Sequence, residues 1–235
     1  MMSARASFAM LSVSAALFAS CSKGSGTLLD PSSHIAELNQ TADSIDWSDA
    51  ASASIEIAAP LEEVWKYASD SSRAKEWSAY FDHITPLQGP IPDGQPGAVR
   101  RCFRNPAEKG PRWDELILQV EPLARRRILS FNFMGFLPAG LTRTNLTFVE
   151  QHYESLGAEK TRMTFKTIPV PGRSFLQTTF MKAARAETIR LFYANLENIR
   201  AAIEARYGKR EYVRLHAWEQ PPSTFIERLL TDPNL

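Results

Sequence analysis

Between residues 82 and 168 the chain carries a succession of strand-like segments joined by short links, a pattern that favours an antiparallel meander over a parallel sheet. The segments fall at roughly 82–87, 97–104, 112–121, 125–134, 141–150 and 160–168. Turn chemistry separates several of them, at Pro90-Ile91-Pro92-Asp93-Gly94, at Asn105-Pro106 with Gly110-Pro111, and at Gly157. Such a sheet has an apolar face that another element must cover.

The covering elements are legible on both flanks. Ala51 to Ala59 alternates small or apolar residues with polar ones, as a half-buried strand does, and Pro60 stops it. Leu61, Val64, Trp65 and Ala68 then supply a helical stripe, with Glu62 and Glu63 placed where a helix N-terminus favours acids. Asp70-Ser71-Ser72 ends or caps that helix, and a second short helix follows through Ala74 and Trp77. Far downstream, Ile189, Phe192, Leu196, Ile199 and Ile203 paint one face of a long helix over Phe175 to Tyr207, with Gly208 placed to end it. The order strand, two short helices, six strands and long helix predicts an α+β fold, a curved antiparallel sheet of about seven strands wrapped around the long C-terminal helix.

Composition narrows the functional classes. The 235 residues fit one domain with extensions, and 27 Lys+Arg against 26 Asp+Glu leave a formal charge of +1, which argues against nucleic acid as a partner. With Cys21 and Cys102 as its two cysteines, the chain has neither a disulfide framework nor a Cys-rich zinc module. His34, His83, His152 and His216 are scattered without metal-ligand spacing, so no metal and no cofactor is expected.

Residues 6 to 22 carry no charge, and the apolar and small-residue run Phe8 to Ser20 follows the basic Arg5, which is the layout of a signal peptide. The run ends in Leu17-Phe18-Ala19-Ser20-Cys21. This resembles the lipobox of bacterial lipoproteins, from which Phe18 departs. The resemblance implies a signal peptide over 1–20, lipidation at Cys21, and a membrane-anchored protein on the periplasmic side. Ser22 in place of Asp is similar to the outer-membrane sorting pattern. Residues 21–50, rich in Ser, Gly, Asp and Thr, read as a tether with some local structure near Ile45 to Trp47. The folded domain is expected over 51–208 and a C-terminal extension over 209–235, where Ser223 is placed to cap a short amphipathic helix.

Ile55-Glu56-Ile57-Ala58-Ala59-Pro60-Leu61-Glu62-Glu63-Val64-Trp65, followed by Asp70 and Glu76-Trp77-Ser78, resembles the opening of the START/Bet v 1-like (SRPBCC) superfamily, in particular its polyketide cyclase/dehydrase and lipid-transport group. Pro96-Gly97-Ala98-Val99 and Glu121-Pro122-Leu123-Ala124-Arg125-Arg126 are similar to later turns of that group. The resemblance implies a helix-grip fold with an internal hydrophobic cavity, and a small hydrophobic or lipid-like ligand. An alternative implied by the group is a cyclase or dehydratase, and a closed-core envelope interaction protein is a third reading.

The period of two along each strand sorts candidate lining residues. Leu116 and Leu118 form one apolar set with Val120; Leu129, Phe131 and Phe133 form the next, followed by Leu146 with Phe148 and Met163 with Phe165. We expect Leu116, Leu118, Phe131, Phe133, Phe148 and Phe165 to face the ligand, with Trp77, Tyr80 and Phe81 near the mouth and Phe180 at the start of the long helix. Arg101, Trp113 and Asn132 are candidate polar contacts. For a cyclase, Arg101 with Asp114 or His83 are the acid-base candidates.

Overall fold

The computed structural model describes residues 31–87, 91–135, 146–171 and 175–208, and for 175–183 the backbone alone. The signal peptide expected over 1–20, Cys21, the Phe180 side chain and the extension expected over 209–235 lie outside the described residues. Seven strands form one antiparallel sheet in the order β1-β7-β6-β5-β4-β3-β2. They are β1 (Ala51–Ile57), β2 (His83–Pro86), β3 (Val99–Phe103), β4 (Arg112–Glu121), β5 (Arg125–Met134), β6 (Thr147–Ser155) and β7 (Thr161–Pro169). The segment expected at 141–150 thus runs further, to Ser155, and its expected start lies outside the described residues. Among the described residues, four α-helices accompany the sheet: α1 (Ile35–Ser44), α2 (Leu61–Ser69), α3 (Ala74–Trp77) and the long α4 (Phe175–Arg206). This is the curved sheet and long helix of the helix-grip fold. Among the described residues no helix is long and apolar enough to cross a membrane.

The two faces of the sheet are covered by different helices. On one face α4 packs on β1 and β7, and its Leu196, Ile199 and Ile203 join Ile55, Ile57, Met163 and Phe165 in the main core. β1 shows the alternation cleanly, with Ala51, Ala53, Ile55 and Ile57 buried and the residues between them exposed. α2 and α3 close the same side, Val64 and Tyr67 entering this core and Trp65 meeting the Tyr153 ring edge-on at 4.8 Å. Asn195 and Asn198 on α4 fix the segment after α3, accepting from Ala79 N at 2.7 Å and donating to the Trp77 carbonyl at 3.0 Å.

The opposite face holds the correction to the tether. Residues 35–44, expected within it, form α1, which lies on the sheet with Leu38 and Ala42 fully buried against Val99, Leu116, Leu118, Leu129, Phe131, Leu146, Phe148 and Val170. Ile35, Leu38, Ala42 and Ile45 are spaced as one helical stripe. Polar residues one position on pin the helix: the Asn39 amide donates to the Leu118 carbonyl at 3.1 Å, and Asp43 pairs with Arg127 at 2.8 Å.

A bulge decides which residues see which helix. At Asn132 the backbone turns left-handed (φ 51), and β5 places two residues opposite Trp113 on β4. Asn tolerates this conformation better than branched residues do. The extra residue switches the alternation, so Phe131 faces α1 whereas Phe133 stacks over Trp113 on the α4 side, centroids 6.5 Å apart and planes 13°.

Candidate functional site

On the α4 side, aromatic side chains from five elements gather. Trp77 ends α3, and Tyr80 and Phe81 follow it in a turn where the Ser78 hydroxyl accepts from both of their amides, at 3.1 and 2.9 Å. Trp77 meets Phe81 and Phe165 edge-on, at 5.7 and 6.5 Å between centroids. Trp113 lies 5.6 Å from Tyr80 and 5.5 Å from Phe81, and Phe192 of α4 meets Phe165 at 5.6 Å. Edge-on and offset contacts of this kind are the favoured ones for aromatic rings. Trp77, Tyr80, Phe81, Trp113, Phe133 and Phe165 therefore come together as expected. Phe192, noted in the sequence only as part of the α4 stripe, belongs with them.

Polar groups are buried on the same face. Register places Arg100, Glu115, Ser130 and Thr147 side by side across β3, β4, β5 and β6. This row separates the aromatic end from a smaller apolar cluster of Ala98, Ile117 and Ile128 with Val120 and Val149. Arg100 holds Glu115 at 2.8 Å, and Glu115 also accepts from the Trp113 indole at 3.0 Å. Trp113 thus carries a polar contact, to a protein carboxylate. Burial pushes the Tyr153 phenol up to about 12, and burial likewise raises Tyr80, so both hydroxyls stay protonated at neutral pH. Cys102 is fully buried among these groups, and desolvation raises its thiol well above the ordinary range, as befits an inert thiol. The Trp77 indole Nε1 and the Arg126 Nη2 are buried without a hydrogen-bond partner among the described residues. Two donors left open on one face are notable, because buried polar atoms are nearly always paired.

Four of the expected lining residues lie elsewhere. Leu116, Leu118, Phe131 and Phe148 face α1, on the side away from α4. The physical reason is that α1 gives the outer face an apolar cover of its own, so the more uniformly apolar set marks the outer core. The acid-base candidates are displaced in the same way. Arg101 and Asp114 do come together, Nε donating at 2.7 Å and Nη2 at 3.1 Å, with the Asn132 amide donating to Asp114 at 2.9 Å. They share the face of Val99, Leu116 and Phe131, however, and the Asp114 bonds hold the Arg101 pKa up. His83 stacks on Phe103 at 5.1 Å near the sheet edge and bonds Asp82 and Glu108. Asp114 and Glu115 point to opposite faces, as adjacent strand residues do.

The model of the family described as polyketide cyclase / dehydrase and lipid transport matches residues 49–204. The chain belongs to this family. Its fold is that of solved SRPBCC proteins. It is similar to the Zhui aromatase/cyclase from Streptomyces sp. R1128, with 15% identity and a TM-score of 0.50 over 66% of this chain and 93% of that one. It is also similar to DynU16 from the dynemicin biosynthetic locus, with 20% identity and a TM-score of 0.49 over 72% of this chain, which spans 52% of that protein. Norcoclaurine synthase from Thalictrum flavum matches with 12% identity and a TM-score of 0.47 over 66% of this chain and 94% of its own. Among curated proteins, none matches in sequence. The family match supports a fold of the kind that binds hydrophobic ligands.

Proposed function

We propose that this chain binds and carries a small hydrophobic, lipid-like molecule between α4 and the sheet, held at the periplasmic face of a bacterial membrane by lipid on Cys21. The observation that carries the ligand reading is the aromatic cluster of Trp77, Tyr80, Phe81, Trp113, Phe133 and Phe165, with the Trp77 Nε1 donor left open inside it. Ligand sites combine mostly apolar walls with a few placed polar groups, and an indole N–H among aromatic rings is such a group. The lipid anchor is supported by the uncharged run ahead of Leu17-Phe18-Ala19-Ser20-Cys21. A cyclase or dehydratase reading draws on the family description alone, since Arg101, Asp114 and His83 lie off the α4 face.

Native mass spectrometry of the purified protein, with organic extraction of what it carries, tests the ligand reading. A hydrophobic adduct that leaves on extraction and rebinds is the expected result. A bare protein that binds no hydrophobic probe would overturn it. Labelling with a palmitate analogue tests the anchor: wild type is expected to take the label and Cys21→Ala to lose it, and equal labelling removes the anchor from the account.

A further inference from the structure

Arg126 stands on the α4 side of the sheet, paired across β4 with Val120 and across β6 with Gln151. It is 2% exposed. Among the described residues it has no ion-pair partner; Nη1 reaches the Ser69 carbonyl at 3.5 Å, the outer limit of a hydrogen bond, the Tyr153 hydroxyl is a neutral hydrogen-bonding neighbour, and Nη2 has no acceptor. Neither nearby carboxylate is paired with Arg126, although the Asp93 Oδ1 is itself buried without a hydrogen-bond partner. Glu115 is held by Arg100 at 2.8 Å, and Asp93 is bonded by the Ser71 hydroxyl and lies 3.8 Å from Arg100.

Arg126 therefore sits in a low-dielectric place with a second guanidinium beside it. Burial, and after it the Arg100 charge, push its pKa down, while Tyr153, Glu115 and Asp93 oppose them. A guanidinium stays charged in proteins, so the strain is relieved by an anion and not by losing a proton. The loop over residues 91–98 covers the group: a Cβ built on Gly94 would lie 3.5 Å from Nη2.

From Arg126 a continuous line of neighbours leads to the aromatic cluster. Gln151 is its partner on β6, Phe165 is the partner of Gln151 on β7, and the Phe165 ring meets Trp77 at 6.5 Å.

We propose that Arg126, with Arg100 beside it, receives the acidic head of the ligand, a carboxylate whose apolar body lies along Phe165 and Trp77. The proposal rests on the hydrophobic-ligand reading and names its chemical class. The planar guanidinium fork matches a carboxylate, and charge-assisted bonds of this kind are the strong ones. A single negative charge suits the place better than a phosphate dianion, because Glu115 and Asp93 already bring negative charge near it. Loop 91–98 must lift to admit the head, since Nη2 has no surface open to solvent.

The test uses the full chain and two fluorescent probes, 11-(dansylamino)undecanoic acid and its methyl ester, at neutral pH. The acid is expected to bind roughly tenfold or more tightly than the ester, the size of one charge-assisted bond. Arg126→Gln should bring the acid down to the affinity of the ester and leave the ester unchanged, with Arg126→Lys retaining part of the difference. Equal binding of acid and ester to wild type would overturn the anion site while leaving the hydrophobic-ligand reading in place. Binding of neither probe would overturn both. The comparison on wild type needs no variant to fold. Displacement of the acid probe by dodecanoate should exceed that by dodecyl phosphate, and the reverse order would overturn the carboxylate assignment.

Discussion

The two faces of the sheet are both buried, and they are finished differently. Under α1, aliphatic and Phe side chains meet Leu38 and Ala42, and the charges around them are closed into pairs: Arg127 with Glu150 at 2.7 Å and Asp43 at 2.8 Å, Arg101 with Asp114 at 2.7 Å. Under α4, aromatic rings predominate, a row of polar residues crosses the sheet, and the Trp77 and Arg126 donors stay open. A face whose charges are closed into ion pairs, with the Arg125 Nε alone of its named guanidinium atoms left over, is a core. One that keeps unfilled donors beside aromatic walls is where a ligand would complete the set.

The largest effect that separates the faces is on stability. Phe148 is fully buried under α1, and Phe148→Ala should cost about 3 to 5 kcal/mol, measured by denaturant unfolding. A loss under about 1 kcal/mol would mean that the outer face is loosely packed and the contrast is false. Next in size, Leu38→Ala should cost about 2 to 4 kcal/mol, because α1 would lose the side chain that seats it on Leu116 and Leu129. If removing residues 1–46 leaves the unfolding free energy unchanged, α1 is an ornament and the outer face needs no cover.

A smaller effect follows from Glu150. Burial raises its pKa, but bonds from His152 and Arg127 and the Arg127 charge outweigh that and hold it at about 2, against an ordinary 4.5. The folded value is the lower one, so Glu150 contributes stability fully above the unfolded value and loses it as pH falls from about 4.5 toward about 2. Glu150→Gln should flatten the stability profile in that window. An unchanged slope would show that the Arg127–Glu150 pair does not close the outer face.

Much of the architecture was legible because periodicity and turn chemistry are local. The alternation of Ala51 to Ile57, the stripe from Phe192 to Ile203, and the Pro and Gly punctuation state the elements and their order. The face assignment was not, because it depends on what covers each side. Ile35, Leu38, Ala42 and Ile45 carried the signal of a covering helix, diluted by a small Ala and by polar neighbours. Without that helix, the apolar set of Leu116, Leu118, Phe131 and Phe148 reads as the interior, and Arg101 and Asp114 follow it to the wrong side. The bulge at Asn132 hides in the same way, since one inserted residue reverses a strand without any change in composition. Arg126 stands in the run Arg125-Arg126-Arg127 beside a turn, and its burial depends on Ser69 and Gly94, distant in sequence.

The proposed ligand site lies on the α4 face and not on the α1 face. Phe131 and Phe165 are both buried Phe residues, one on each face, which makes them a matched pair. The direct measurement is the affinity of a fluorescent hydrophobic probe, such as N-phenyl-1-naphthylamine, for wild type, Phe131→Ala and Phe165→Ala, at a temperature where all three remain folded. Phe165→Ala is expected to weaken binding roughly tenfold or more, the loss of one aromatic wall, while Phe131→Ala binds within about twofold of wild type. Weakened binding in Phe131→Ala with Phe165→Ala unaffected would place the ligand on the other side of the sheet and contradict the account.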